Sequence, residues 1–264
     1  MSPQLSRRVL AEFLGTGFLV AAVVGSGIAA GRLSPHDAGL ELFENAAATA
    51  AALIAIILAV GPVSGAHLNP VVTLADRFFG GLSNRDAAGY IGAQFVGGAA
   101  GAVVANLMFS LPAFELSTKV RSGHGVWLGE VVATFGLLVV IFGVVRSGRA
   151  SVAPFAVGAY IGGAYFFTSS TSFANPAVTA ARVLSNTFAG IAPSSAPAFI
   201  AFEVVGAAIA VVVIRILYPS VAEVARDLIV PHRDSSEADV SVDGRKPQRD
   251  QSSGATRHRP PMSE

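Results

Sequence analysis

The sequence predicts an all-α membrane protein: six transmembrane helices plus two re-entrant half-helices, arranged as an inverted repeat. Three observations carry this. Residues 1–218 hold 11 Lys/Arg and 9 Asp/Glu among otherwise apolar positions, whereas residues 219–264 hold 7 and 8. Six stretches of the first region approach the ~20 apolar residues that a bilayer crossing takes. The pattern Asn-Pro-x-Val-Thr occurs twice, each time between apolar stretches.

Composition removes whole classes of function. Of 264 residues 52% are hydrophobic and 13% charged, about half the charged share of a soluble domain. An ordinary cytosolic enzyme is excluded on that ground. The net charge of +1 gives no reason to expect a nucleic acid partner. There is no Cys, so disulfides, thiolate metal sites and Cys nucleophiles are excluded. No acid–base pair, nucleophile or metal cluster converges. No catalytic residue, metal or cofactor is therefore expected.

The candidate spans are residues 9–30, 42–60, 87–109, 126–145, 152–168 and 198–217. Arg7 and Arg8 ahead of the first resemble a signal peptide, but Glu12 within the run argues for a retained helix. The fifth span is short and carries Gly158, Gly162 and Gly163, small residues that let helices approach closely in lipid. An even number of spans puts both ends of the body on one side. Arg7, Arg8, Arg77, Arg85, Arg146, Arg149 and Arg215 lie on that side, against Arg32, Lys119, Arg121 and Arg182 on the other. The bias predicts cytoplasmic termini in a cell (inner or plasma) membrane. Residues 1–218 form the membrane domain, with halves of about 1–110 and 126–218. Residues 219–264 read as a polar cytoplasmic tail, too poor in aliphatic side chains to offset the entropy of ordering.

Two segments remain, Gly61 to Phe79 and Ser169 to Leu184. Each is too apolar for a plain loop and too short to span. Each has an extended lead-in and then a helical run of about ten residues, ~15 Å at 1.5 Å per residue. The first contains Ser64-Gly65-Ala66-His67-Leu68-Asn69-Pro70-Val71-Val72-Thr73, the second Ser172-Phe173-Ala174-Asn175-Pro176-Ala177-Val178-Thr179. The spans that open each half also match, Ala11-Glu12-Phe13-Leu14-Gly15-Thr16 against Gly129-Glu130-Val131-Val132-Ala133-Thr134. Each half holds three spans, an odd number, so the two halves are inverted.

Asn followed by Pro has a physical meaning at a helix start. The Asn oxygen caps a first-turn N–H, and Pro fits the next position because its missing N–H had no helical partner. The Asn amide nitrogen is left as a donor. Two such helices meeting head to head present two donors and two positive dipole ends at mid-membrane. A hydroxyl or water oxygen is welcome there and a cation is not. Non-helical lead-ins are tolerated at that depth only where they line a wet cavity.

With these motifs in place, residues 9–218 resemble the major intrinsic protein (aquaporin) family. That family's paired motif is Asn-Pro-Ala. The second copy here, Asn175-Pro176-Ala177, matches it, and the first, Asn69-Pro70-Val71, has Val in the Ala place. The resemblance implies an aquaporin-like fold, pore asparagines at Asn69 and Asn175, and a homotetramer. It also gives Glu12 and Glu130 structural roles, each accepting hydrogen bonds from a lead-in backbone. His67 is read as a hydrogen-bonded packing residue rather than a metal ligand, and Asp76-Arg77 as a solvated or paired helix end.

Counting by the family pattern places the outer selectivity filter at Thr49, Gly163, Ser172 and Val178. Val178 stands where water- and glycerol-selective members carry Arg, and Gly163 removes a side chain from the wall. Arg182, four residues further on, is expected in the packing or at the end of the half-helix rather than in the Arg's place. The Val, together with the run from Phe166 through Pro193, resembles a bacterial branch associated with arsenic resistance. The function this implies is passive conduction of small neutral solutes: arsenite, methylated arsenicals and polyols, with water also possible. Alternatives are a general water and glycerol facilitator, an ion-coupled secondary transporter, and a purely structural membrane protein.

Overall fold

The computed structural model describes residues 3–219. The tail assigned to 219–264 therefore lies, from residue 220 on, outside the described residues. Eight α-helices follow in order: α1 Pro3–Leu33, α2 Ala38–Ser64, α3 Pro70–Phe79, α4 Asn84–Met108, α5 His124–Arg146, α6 Ala153–Phe167, α7 Pro176–Arg182 and α8 Ala196–Leu217. A single 3₁₀ turn, Ala150–Val152, precedes α6. Six of these are long and apolar enough to cross a membrane: α1, α2, α4, α5, α8, and α6 with its 3₁₀ turn. Their outer faces suit acyl chains, with Phe18 65%, Val96 63% and Val212 59% exposed.

Small residues set the crossings. A Cβ added to Gly97 of α4 would overlap the Phe13 carbonyl of α1, and one added to Gly101 would overlap that of Gly17. In the second half, a Cβ on Gly206 of α8 would crowd the Val131 carbonyl of α5. Backbones this close gain dispersion contacts that lipid tails cannot supply. Gly158 plays the same part on α6, where a Cβ would run into Ile54 of α2.

Two boundaries differ from the hydropathy reading. Helix α2 runs on to Ser64 through Pro62 and stops at Gly65, whose φ of 85° suits a residue without Cβ. The first lead-in is thus only residues 65–69. Helix α7 has seven residues rather than ten. It stops where the linker between the halves takes its carbonyls: Ser117 N–H donates to Val183 O at 2.9 Å, and Glu115 N–H to Leu184 O at 3.2 Å. Those carbonyls are then committed to the linker instead of a further helical turn.

Candidate pore and its far-side mouth

The two half-helices start side by side. Asn69 Oδ1 accepts from Val71 N–H at 3.1 Å, and Asn175 Oδ1 accepts from Ala177 and Val178 N–H at 3.0 and 3.2 Å. Both caps follow from Asn-Pro chemistry. The amide nitrogens reach across the repeat. Asn69 Nδ2 donates to Ala174 O at 2.7 Å and Asn175 Nδ2 to Leu68 O at 2.8 Å. Each NH2 has two hydrogens, so one from each Asn ties the halves together. Both Asn border one internal cavity, where the second hydrogen has no acceptor among the described residues. Pro70, Val71, Pro176 and Ala177 are buried in the first turns.

The lead-ins are strained and anchored alike. Ala66 and Leu68 have φ of 50° and 52°, and Ser172 and Ala174 have 49° and 50°. These are the third and first residues before each Asn. Left-handed residues with a Cβ cost of order 1 kcal/mol each, so something must hold them. Glu12 accepts from His67 N–H at 3.0 Å, Leu68 N–H at 2.7 Å, Ser64 Oγ at 2.6 Å and Gln94 Nε2 at 2.8 Å. Glu130 accepts from Phe173 N–H at 3.0 Å and Ala174 N–H at 2.7 Å. Both carboxyls are fully buried.

His67 borders the cavity on the side where α3 lies. Its Nδ1 is 3.1 Å from Thr73 Oγ1, and its Nε2 is 3.7 Å from Asp76 Oδ2. Asp76 is 2% exposed, so of the two readings of this helix end, solvated or paired, it is the paired one, with His67 as the partner. Arg77 lies at the surface, where its Nε donates to Asn84.

The predicted filter is partly rearranged. Ser172 and Val178 border the cavity, and the buried Ser172 hydroxyl has no hydrogen-bond partner among the described residues. The expectation for Gly163 is not met. It is exposed, and a Cβ there would meet nothing closer than the Phe167 ring at 3.9 Å. The cavity face of α6 is Val157, Ile161 and Tyr165. These recur every four residues, whereas Gly163 sits two positions off that stripe, about 200° round the helix. The phase of the stripe was the signal that a fixed count back from Asn175 missed. Thr49 stands behind Tyr165, accepting from its hydroxyl at 3.2 Å. A phenol therefore projects into the wall where an opening was expected.

Arg182 closes α7 and is buried there, as expected. It is 2% exposed and borders the same cavity as Ser172 and Val178. Its Nε donates to Ala189 O, and its guanidinium lies over the Phe173 ring, 3.4 Å from the centroid. Nearby, Arg121 is spent on carbonyls, donating to Gly190 O at 2.9 Å and Phe188 O at 3.2 Å. Lys119 Nζ donates to Phe188 O at 2.9 Å. Burial, then repulsion from Arg121 and Arg182, pushes the Lys119 ammonium down to about 8.

Comparison with known proteins decides the family. The model described as "Major intrinsic protein" matches residues 1–173. The chain belongs to the major intrinsic protein family. It is accordingly a multi-pass membrane protein and a passive channel, not an enzyme. It is 51% identical over 211 residues to "Aquaglyceroporin AqpS" of Rhizobium meliloti (strain 1021), covering 80% of this chain and 90% of that one. It is 31% identical over 217 residues to "Probable aquaporin AqpM" of Archaeoglobus fulgidus, covering 72% and 88%. Among solved structures, the aquaglyceroporin from Plasmodium falciparum superposes with a TM-score of 0.63 at 21% identity, covering 82% of this chain and 98% of that one. That likeness supports the fold, with its inverted halves and re-entrant helices.

Proposed function

We propose that this channel passes small neutral polyhydroxy solutes, arsenite, methylated arsenicals and polyols among them, with water able to follow. The observation that carries the reading is Val178 bordering the cavity three residues past Asn175. A cation at that place would narrow the mouth, and an isopropyl group leaves it wider and apolar. Similarity to a protein named as an aquaglyceroporin points to the same solute class. Solutes move past Asn69 and Asn175, each offering its remaining amide N–H to a passing oxygen. Ser172 adds a hydroxyl with no partner of its own. The Val71 side chain in the first motif packs beside this junction without entering the path. Residues 1–218 form the conduit, in a cell membrane, with both termini cytoplasmic and four copies assembling.

Stopped-flow light scattering on proteoliposomes tests this. Arsenite and glycerol permeability should both exceed that of empty liposomes. Glycerol flow with arsenite at the empty-liposome rate would leave a general water and glycerol facilitator instead. Val178→Arg should cut glycerol and arsenite flux severalfold while water flux falls less, because the added side chain narrows the mouth for the larger permeant.

A further inference from the structure

The position expected to hold the filter cation is apolar, yet a cation borders the cavity one turn away. Arg182 follows Val178 by four residues, a helical rise of about 6 Å. Two properties separate it from the other two basic residues of this mouth: it borders the cavity, and both of its Nη groups are uncommitted among the described residues. Arg121 and Lys119 turn their donors onto the carbonyls of residues 188 and 190 and do not border the cavity. Arg182 commits only Nε, to Ala189 O. Its two Nη groups have no acceptor among the described residues, and no carboxylate forms an ion pair with it there.

A buried charge without a counter-ion persists only where water or solute solvates it. The cavity is the source of that solvation, so the guanidinium face must be wet. Phe173 stacks beneath the plane, which fixes the direction of the fork and leaves its edge for the permeant. The neighbouring Ser172 hydroxyl is buried and unpartnered as well. Two unmatched polar groups on one stretch of wall are what a solute-sorting constriction requires, since they are satisfied only when something passes.

We propose that Arg182 is the filter cation of this channel, displaced one helical turn toward the far-side mouth. Its Nη donors and the Ser172 hydroxyl receive solute oxygens, and its charge turns cations back. The Tyr165 ring and Val178 supply the apolar remainder of the constriction. This rests on the cavity being the conduit, as argued under Proposed function.

The test uses the full chain in proteoliposomes and reads three quantities: potassium leak with a potential-sensitive dye, and water and glycerol flux by light scattering. Arg182→Gln should raise potassium leak about tenfold or more with water flux kept within about twofold. A unit charge a few ångströms from a passing cation in a partly dry pore outweighs the energy of a tenfold change. Arg182→Lys should hold leak at the wild-type level while glycerol flux falls severalfold, because an ammonium is a point donor and not a fork. Arg182→Gln with Val178→Arg should bring leak back down. Wild-type leak in Arg182→Gln with water flux intact overturns the proposal. If that variant does not fold, unchanged glycerol flux in Arg182→Lys overturns it. Wild-type liposomes no more permeable to water or glycerol than empty ones overturn this reading and the proposed function together. A failure to pass arsenite alone touches only the latter.

Discussion

The two halves of the repeat share a frame and differ in its chemistry. Around Asn69 and Asn175 the match is close: an Asn cap, a Pro, left-handed residues one and three places before, a buried Glu below, and a carbonyl given to the opposite Asn. Seven residues past each Asn the halves part. One has Asp76 and the other Arg182, both 2% exposed. The long helices part as well. Gln94 of α4 donates to Glu12 and to Thr73. Its counterpart in α8 is Glu203, which accepts from Thr179 Oγ1 at 2.6 Å and whose other carboxylate oxygen is buried with no hydrogen-bond partner among the described residues. The shared residues meet a geometric demand that is the same at both ends, namely holding a strained backbone beside a polar path. The differing residues stand outside that demand and are free to differ in charge; of them Arg182 borders the cavity, and Asp76, Gln94 and Glu203 are buried away from its lining.

If the shared frame is structural, breaking it should have the largest effect. Glu12→Ala strips two backbone N–H groups, Ser64 and Gln94 of their acceptor. Buried donors left unpaired cost about 1–3 kcal/mol each. We expect loss of monodisperse protein in detergent and of water flux. Glu130→Ala, with two backbone donors on that carboxylate, should be severe but milder. A Glu12→Ala protein that melts with the wild type would break the comparison. Next come the crossings. Gly97→Ala should destabilise by about 1–3 kcal/mol, the usual cost of overpacking, read as a lower melting temperature. Gly206→Ala should cost less, since its Cβ meets the neighbouring carbonyl less closely.

The asymmetric positions sharpen the same picture with smaller effects. Glu203→Gln should leave melting temperature and water flux near wild type. It gives the second half the amide that already serves at Gln94, and an amide oxygen can still accept from Thr179 Oγ1. A marked loss would show that the Glu203 carboxyl itself is needed. The smallest effect concerns Lys119 at the mouth. Its ammonium is charged below about pH 8 and neutral above, with Arg121 and Arg182 disfavouring the charge and Glu41 favouring it. Raising pH from 7 to 9 should weaken potassium exclusion by no more than about twofold, because Lys119 does not border the cavity and its distance from a passing cation is spanned by solvent and salt. Lys119→Met should flatten that dependence.

Much of this was legible in the primary order of residues. Six apolar runs, two Asn-Pro motifs and one intramembrane Glu per half are local features. Hydropathy and helix-cap chemistry read them without knowledge of neighbours. The filter was less so. Gly163 was reached by counting a fixed distance along the chain, but a wall is built by angular phase on α6, and there the residue at the cavity is Tyr165. The polar Asp76-Arg77 end reads equally as solvated or paired, and only packing shows that Asp76 is buried beside His67 while Arg77 lies at the surface.

What the sequence alone determined is the six spans, the inverted repeat and the capped starts of α3 and α7, because each depends on composition within about 20 residues or on bonds within one turn. Only the tertiary structure decided that each Asn amide reaches the opposite lead-in, more than a hundred residues away. It alone turned Arg182 back toward the cavity over Phe173. Those choices depend on how separate segments pack against one another, and no short stretch of chain carries that information.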